Sequence, residues 1–195
     1  MQTFDVIVAG AGGMGTAAAC HLARRGAGVL ALDRFPPAHD RGSSHGQTRL
    51  IRQAYYEHPD YVPLLLRAYD AWRELEVASG RRLFVESGLV MAGPETGTVV
   101  PGALESARIH RLAVETMTPT DAAARWPAVR MPHDWRVVFE PQGGYLFVED
   151  CVRSHAEQAV AHGADLRSGI TVCGWRTAGN DVVVDTDAGS FAAAS

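Results

Sequence analysis

Apolar positions near the N-terminus form two short, β-branched runs, FDVIVA at residues 4–9 and VLALD at 29–33. Runs this short with no polar alternation suit strands buried on both faces. Between them the period changes: TAAACHLARRGA spaces its apolar positions about a turn apart and predicts a helix ending near Gly26 or Gly28. Strand, glycine-rich turn, helix and strand make a βαβ unit, for which a right-handed crossover is expected.

Residues 60–80, DYVPLLLRAYDAWRELEVASG, predict an amphipathic helix. Its inner face is either Leu65, Tyr69, Trp72 and Leu75 or Leu66, Tyr69 and Arg73. LFVESGLVMAG (83–93) reads as two short strands about a bend at Ser87–Gly88, and LESARIHRLAV (104–114) as a helix. Pro119, Pro127 and Pro132 then bound short elements. RVVFEPQGGYLFV (136–148) is strand, turn and strand, and EDCVRSHAEQAVAHGA (149–164) a helix stopped by Gly163. DLRSGITVCGWRT and DVVVDTDAGSFAAA are strands, the second turning at Asp187–Ala188–Gly189. The final SFAAAS reads as the start of a hairpin's second strand, with an unpaired edge. On that ground the sequence is expected to be the N-terminal part of a longer protein, or a truncated one.

With 195 residues, 47% hydrophobic and 21% charged, the chain has an ordinary globular composition and room for one to two domains. A net charge of −4 without a polybasic tract argues against nucleic acid and a membrane surface as partners. Cys20, Cys151 and Cys173 are odd in number and lack C-x-x-C spacing. That disfavours a disulfide framework and a zinc site, and no metal is expected. The histidines at 58, 110, 133, 155 and 162 lack ligand spacing and read as surface or structural. No signal peptide or apolar run of the ~20 residues a bilayer needs is present, so a cytoplasmic protein is expected.

Gly10, Gly12 and Gly15 form G-x-G-x-x-G after a strand and at the opening of a helix. The first allows the tight turn, the second the approach of a pyrophosphate, and the third close packing of helix on strand. The phosphates then meet the helix N-terminus. Gly13 and Met14, within the loop, are further cofactor-binding candidates. Asp33 lies 18 residues past Gly15, where a carboxylate can bond a ribose hydroxyl pair and disfavours a 2′-phosphate. Arg34 follows it. The motif alone leaves NAD and FAD open.

The segment RGSSHGQTRLIRQAYYE (41–57) decides between them. DVIVAGAGGMG, LALD and GSSHGQTRLIRQAY, followed by RWP and VFEPQGGYLFVEDCVRSH, resemble the monomeric sarcosine oxidase and N-methyl-amino-acid oxidase family of D-amino-acid-oxidase-like flavoproteins. The likeness spans nearly the whole chain, and SSHGQTRLIR is its most specific part. It implies FAD in a Rossmann-like α/β domain of glutathione-reductase type, with the start of an antiparallel-sheet substrate domain. Expected boundaries are 1–82 with 144–195 for the FAD-binding domain and 83–143 for the first part of the substrate domain.

The resemblance also implies that Ser44, His45, Thr48 and Arg49 lie along the flavin and that Arg52 faces substrate. Val172 falls where a strand returns to the adenine end. The chemistry agrees. A guanidinium at Arg49 stabilises negative charge developing on a reduced ring, and the planar fork of Arg52 suits a carboxylate. Arg49, Arg52 and His45 are the catalytic candidates. Tyr55 and Tyr56 read as packing.

The expected function is FAD-dependent oxidation of a secondary or N-methylated amino acid, sarcosine-like, to an imine with O2 reduced to hydrogen peroxide. The full-length enzyme is expected to be monomeric, and the 195 residues alone inactive. None of the three cysteines matches the family's covalent flavin position. The alternatives are an NAD-dependent dehydrogenase, which would need further parallel βα units after Asp33, and a truncated, non-catalytic flavin-binding fragment.

Overall fold

The computed structural model describes residues 1–194; Ser195, the last residue of the expected FAD-binding segment, lies outside the described residues. In chain order the first elements are β1 (Gln2–Phe4), β2 (Val6–Ala9), α1 (Gly13–Ala23), β3 (Val29–Asp33) and β4 (Thr48–Ile51). Next come α2 (Val62–Ser79), entered through a 3-10 turn at Pro59–Tyr61, then β5 (Phe84–Val85), β6 (Leu89–Pro94) and α3 (Val99–His110). They are followed by β7 (Glu115–Met117), α4 (Pro119–Arg125), β8 (Trp135–Glu140), β9 (Gly144–Phe147) and α5 (Val148–Ala161). The last are β10 (Asp165–Ser168), β11 (Val172–Ala178), β12 (Asp181–Thr186) and β13 (Gly189–Ala194). None of the helices among the described residues is long and apolar enough to cross a membrane.

These elements form two units: Met1–Arg49, Leu75–Leu83 and the chain from Phe147 onward in one, Leu50–Glu74 and Phe84–Leu146 in the other. In the first, β2, β3 and β10 make a parallel sheet in the order β10-β3-β2. The chain leaves β3 and rejoins this sheet only at Asp165, so no second βα unit directly follows Asp33. β3 is apolar from Val29 to Leu32 because both its faces are covered there. Val29 and Ala31 pack with Ala19, Cys20 and Ala23 of α1 and Ala159 of α5. Leu30 and Leu32 pack with Val184 and Phe191 on the other face. Burial raises the pKa of both the Cys20 and Cys151 thiols, that of Cys151 to about 12, so they are packing groups.

Two expectations for this unit are corrected. The run 4–9 is two strands, because the chain breaks at Asp5. There the carboxylate accepts from Gly28 N at 2.6 Å while Asp5 N donates to Gly28 O at 2.8 Å. Val6–Ala9 stays with β3, and Gln2–Phe4 turns away to pair with β13. β13 is consequently not an open edge. The second sheet runs β1-β13-β12-β11, with β13 antiparallel to β12 and parallel to β1. The edge strands of this sheet are β1 and β11, and on β11 Trp175 is exposed.

His155 of α5 is buried, with its ring 6.2 Å from that of His21. Burial, and then the nearby His21, lower its pKa from 6.5 to about 4. The folded state therefore binds this proton less readily than the unfolded chain. The stability it preserves is fully present above pH 6.5 and is lost as pH falls toward 4. At pH 4.5 the loss should be on the order of 2 kcal/mol. Urea unfolding of wild type and His155→Gln at pH 7 and 4.5 checks this. A pH dependence identical in both proteins would rule His155 out as its source.

The second unit holds the antiparallel sheet β6-β8-β7; a small sheet runs β4-β9-β5. RVVFEPQGGYLFV is strand, turn and strand as expected, but its strands serve different sheets: β8 pairs with β6 and β7, β9 with β5. In α2 the stripe realised is Leu65, Tyr69, Trp72 and Leu75, with Leu64, Leu66 and Val77 exposed. α3 starts at Val99, ahead of the expected 104, because Pro101 is tolerated in a first turn. Thr118 and Asp121 close a reciprocal capping box on α4.

Residues 50–74 group with the second unit, whereas the sequence division draws them into the first. The physical ties are long-range. Tyr69 meets Phe84 edge-on at 5.3 Å, and the Glu140 carboxylate accepts from the backbone N–H groups of Gln53 and Ala54.

Candidate functional site

Gly10 turns the chain out of β2 at φ 99°, while its N–H donates to Leu32 O at 2.7 Å. α1 then starts at Gly13 with Gly12 as its N-cap, no side-chain cap and no acidic residue in its first turn. The leading N–H groups and the positive end of the helix dipole thus have no anionic group of the first turn to meet. A Cβ at Gly12 would meet nothing within 4 Å, whereas one at Gly15 would stand 1.8 Å from Gly10 O. Gly12 faces open space and Gly15 is a packing contact. A Cβ on Gly13 would lie 2.6 Å from Ser44 Oγ, which puts that hydroxyl against the loop.

Asp33 ties this loop to the end of β3. Its Oδ2 accepts from Ala11 N at 2.7 Å and its Oδ1 from Phe35 N at 2.9 Å. Each carboxylate oxygen has a second acceptor site. His39 Nε2 lies 3.8 Å from Asp33 Oδ1, and its Nδ1 accepts from Arg41 N at 2.9 Å. The guanidinium carbons of Arg34 and Arg41 lie 5.4 and 5.8 Å from the Phe35 ring centroid.

Two cavities meet at Asp33. One, of about 550 Å³, brings together Gly10, Gly12, Gly13, Met14, Gly15, Asp33 and Ser44, with His39 and Val152. The other, of about 460 Å³, joins Asp33, Arg34 and Val172 with Phe35, Arg41 and Ile170. Both contain Ala9, Gly10, Asp33 and His39, so they are contiguous.

His45, Thr48 and Arg49 are exposed and are not among the lining residues of either cavity. Their segment is held by Glu149, which the sequence analysis did not single out. Gly46 and Gln47 are both left-handed, at φ 100° and 59°, and both donate N–H to Glu149 Oε1, at 2.8 and 3.2 Å. Val148 N donates back to Gln47 O at 3.0 Å. These amides, Gly46 first, hold the Glu149 pKa below its ordinary value. The Arg49 guanidinium folds back to donate to Ser43 O. His39 was also missed. The only sequence signal for Glu149 is an acid in the first turn of a helix, which is commonplace.

Arg52 belongs to the second unit. Its guanidinium carbon lies 4.7 and 4.8 Å from the ring centroids of Tyr55 and Tyr56, and Nη2 donates to both Glu57 oxygens at 3.3 Å. Its Nε is buried with no hydrogen-bond partner among the described residues.

A family profile described as DAO, FAD dependent oxidoreductase, matches residues 5–194. Monomeric sarcosine oxidase of Bacillus sp. (strain NS-129) is 40% identical over 191 residues, which cover 97% of this chain and 49% of that protein. N-methyl-L-tryptophan oxidase of Yersinia pestis (strain Pestoides F) is 37% identical over 182 residues, covering 92% of this chain and 49% of that protein. Among solved structures, NikD, an amino acid oxidase essential for nikkomycin biosynthesis, superposes with a TM-score of 0.87 at 30% identity, covering 99% of this chain and 50% of its own. The chain spans about half the length of the curated relatives it matches.

Proposed function

The chain belongs to the DAO family of FAD-dependent oxidoreductases, and from that premise we propose that it holds FAD and forms part of an oxidase of secondary or N-methylated amino acids. The observation that carries this reading is the glycine loop. An uncapped helix start faces a cavity, Gly12 leaves room for close approach, and Asp33 lies beside it with unused acceptor sites. The amides at Gly12 to Gly15 would take the pyrophosphate and Asp33 the ribose hydroxyls. Arg34 and Val172 would line the adenine side. No second βα unit directly follows Asp33, which disfavours an NAD-dependent dehydrogenase.

FAD, when bound, supplies the two-electron acceptor that the protein's side chains lack. Ser44, His45, Thr48 and Arg49 line its ring system in this reading. The Arg49 guanidinium, a permanent charge, stabilises negative charge that builds up beside it. Arg52 takes the substrate carboxylate, and its partnerless Nε supports that role. In the net reaction the amine, as free base, loses two electrons and two protons to become an imine, and O2 becomes hydrogen peroxide. The relatives' names favour sarcosine or N-methyltryptophan as substrate, with cyclic imino acids as further candidates. The first unit is then the FAD-binding part and the second the beginning of the substrate part. The enzyme is read as monomeric and cytoplasmic.

The test is a preparation of the protein titrated with FAD and, separately, with NAD, then assayed for peroxide with sarcosine and N-methyl-L-tryptophan. Saturable FAD binding is expected, with amine-dependent peroxide from the full-length enzyme and not from these 195 residues alone. Tight NAD binding without FAD binding would overturn the reading.

A further inference from the structure

The most deeply buried carboxylate of the second unit has no place in the function so far. Glu140, at the end of β8, is 1% exposed. Its Oε1 accepts from Gln53 N at 2.6 Å and its Oε2 from Ala54 N at 3.0 Å. Both donors are themselves buried, and both directly follow Arg52. Burial raises the Glu140 pKa, while the two amides and the Arg52 charge oppose that rise. A carboxylate this buried needs compensation, and a backbone segment alone offers only its N–H dipoles.

We propose that Glu140 is the positioning residue for Arg52, a role that rests on the reading of Arg52 as the carboxylate-binding group. Two consecutive amides bound to one rigid carboxylate fix the backbone at 53 and 54, and with it the direction in which the Arg52 stem leaves the chain. Among the described residues the head of Arg52 lies against the Tyr55 and Tyr56 ring faces and makes 3.3 Å contacts to Glu57, which is itself partly exposed. Orientation of the fork therefore originates at residue 140. A carboxylate is required because both acceptors are engaged. Glutamine has the same shape but would aim an NH2 group at one of the two N–H donors.

The test uses the FAD-loaded protein and three readings: amide exchange at Gln53 and Ala54, the NMR signal of the Arg52 Nε–H, and acetate affinity by the change in flavin absorbance. Glu140→Gln should speed exchange at both amides, shift the Arg52 signal and weaken acetate by about tenfold. Glu140→Asp, which keeps both acceptors, should recover part of each. Arg52→Ala combined with Glu140→Gln should bind acetate no more weakly than Arg52→Ala alone. Faster exchange in Glu140→Gln with an unmoved Arg52 signal would overturn the proposal. If Arg52→Ala leaves acetate affinity intact, the carboxylate reading of Arg52 fails, and the Arg52 signal in Glu140→Gln still decides whether residue 140 positions it. Should Glu140→Gln not fold, the same readings on Glu140→Asp decide.

Discussion

Gly15→Ala should both unfold more easily and lose FAD, whereas Gly12→Ala should lose FAD alone. A Cβ at 15 would sit 1.8 Å from Gly10 O and 2.9 Å from Gly10 C, both backbone atoms, with Val8 Cγ1 at 3.3 Å. No rotamer change relieves a backbone clash, so α1 or the loop must move. Overpacking of this kind typically costs 1–3 kcal/mol or more. A displacement of about 1 Å at a binding site can cost on the order of 100-fold. At Gly12 the added methyl meets nothing within 4 Å, so the fold has no reason to respond. There the methyl competes only with the ligand. Urea unfolding and FAD titration of both variants separate the two effects. Wild-type FAD affinity in Gly15→Ala would mean that the helix start is not where the phosphates lie.

Arg52→Ala should weaken a carboxylate inhibitor by about 2–5 kcal/mol if the charge pair is desolvated on binding. Arg52→Lys should recover only part, because an ammonium lacks the planar fork. Arg49→Ala should behave differently: slower flavin reduction and a more negative reduction potential, with inhibitor affinity changing much less. The structure sharpens this contrast. Arg52 carries a buried, partnerless Nε, whereas Arg49 is exposed and already donates to a carbonyl of its own loop. Stopped-flow reduction and inhibitor titration on the same preparations give both quantities. If Arg49→Ala loses the inhibitor and Arg52→Ala the reduction rate, the two arginines have exchanged roles.

What could be read from the sequence was what its neighbours encode. β3 announces itself because a central parallel strand covered on both faces must be apolar along its buried part, here Val29 to Leu32. The glycine loop announces itself because a left-handed Gly10 and a helix jammed against its carbonyl leave no other residue type at 10 and 15. From those two signals the βαβ unit and Asp33 follow within a short stretch, while the family resemblance needs the later segment SSHGQTRLIR. What the tertiary structure alone decided involves partners far apart in the chain. Glu149 captures Gly46 and Gln47 across separations of 103 and 102 residues, and Glu140 captures Gln53 and Ala54 across 87 and 86. A carboxylate bound to backbone amides asks nothing of the side chains it holds, so neither segment carries a mark of the other. The same holds for β1 covering β13: strand pairing joins main chains, and the bonds between Asp5 and Gly28 explain why the run 4–9 divides at Asp5 between two sheets.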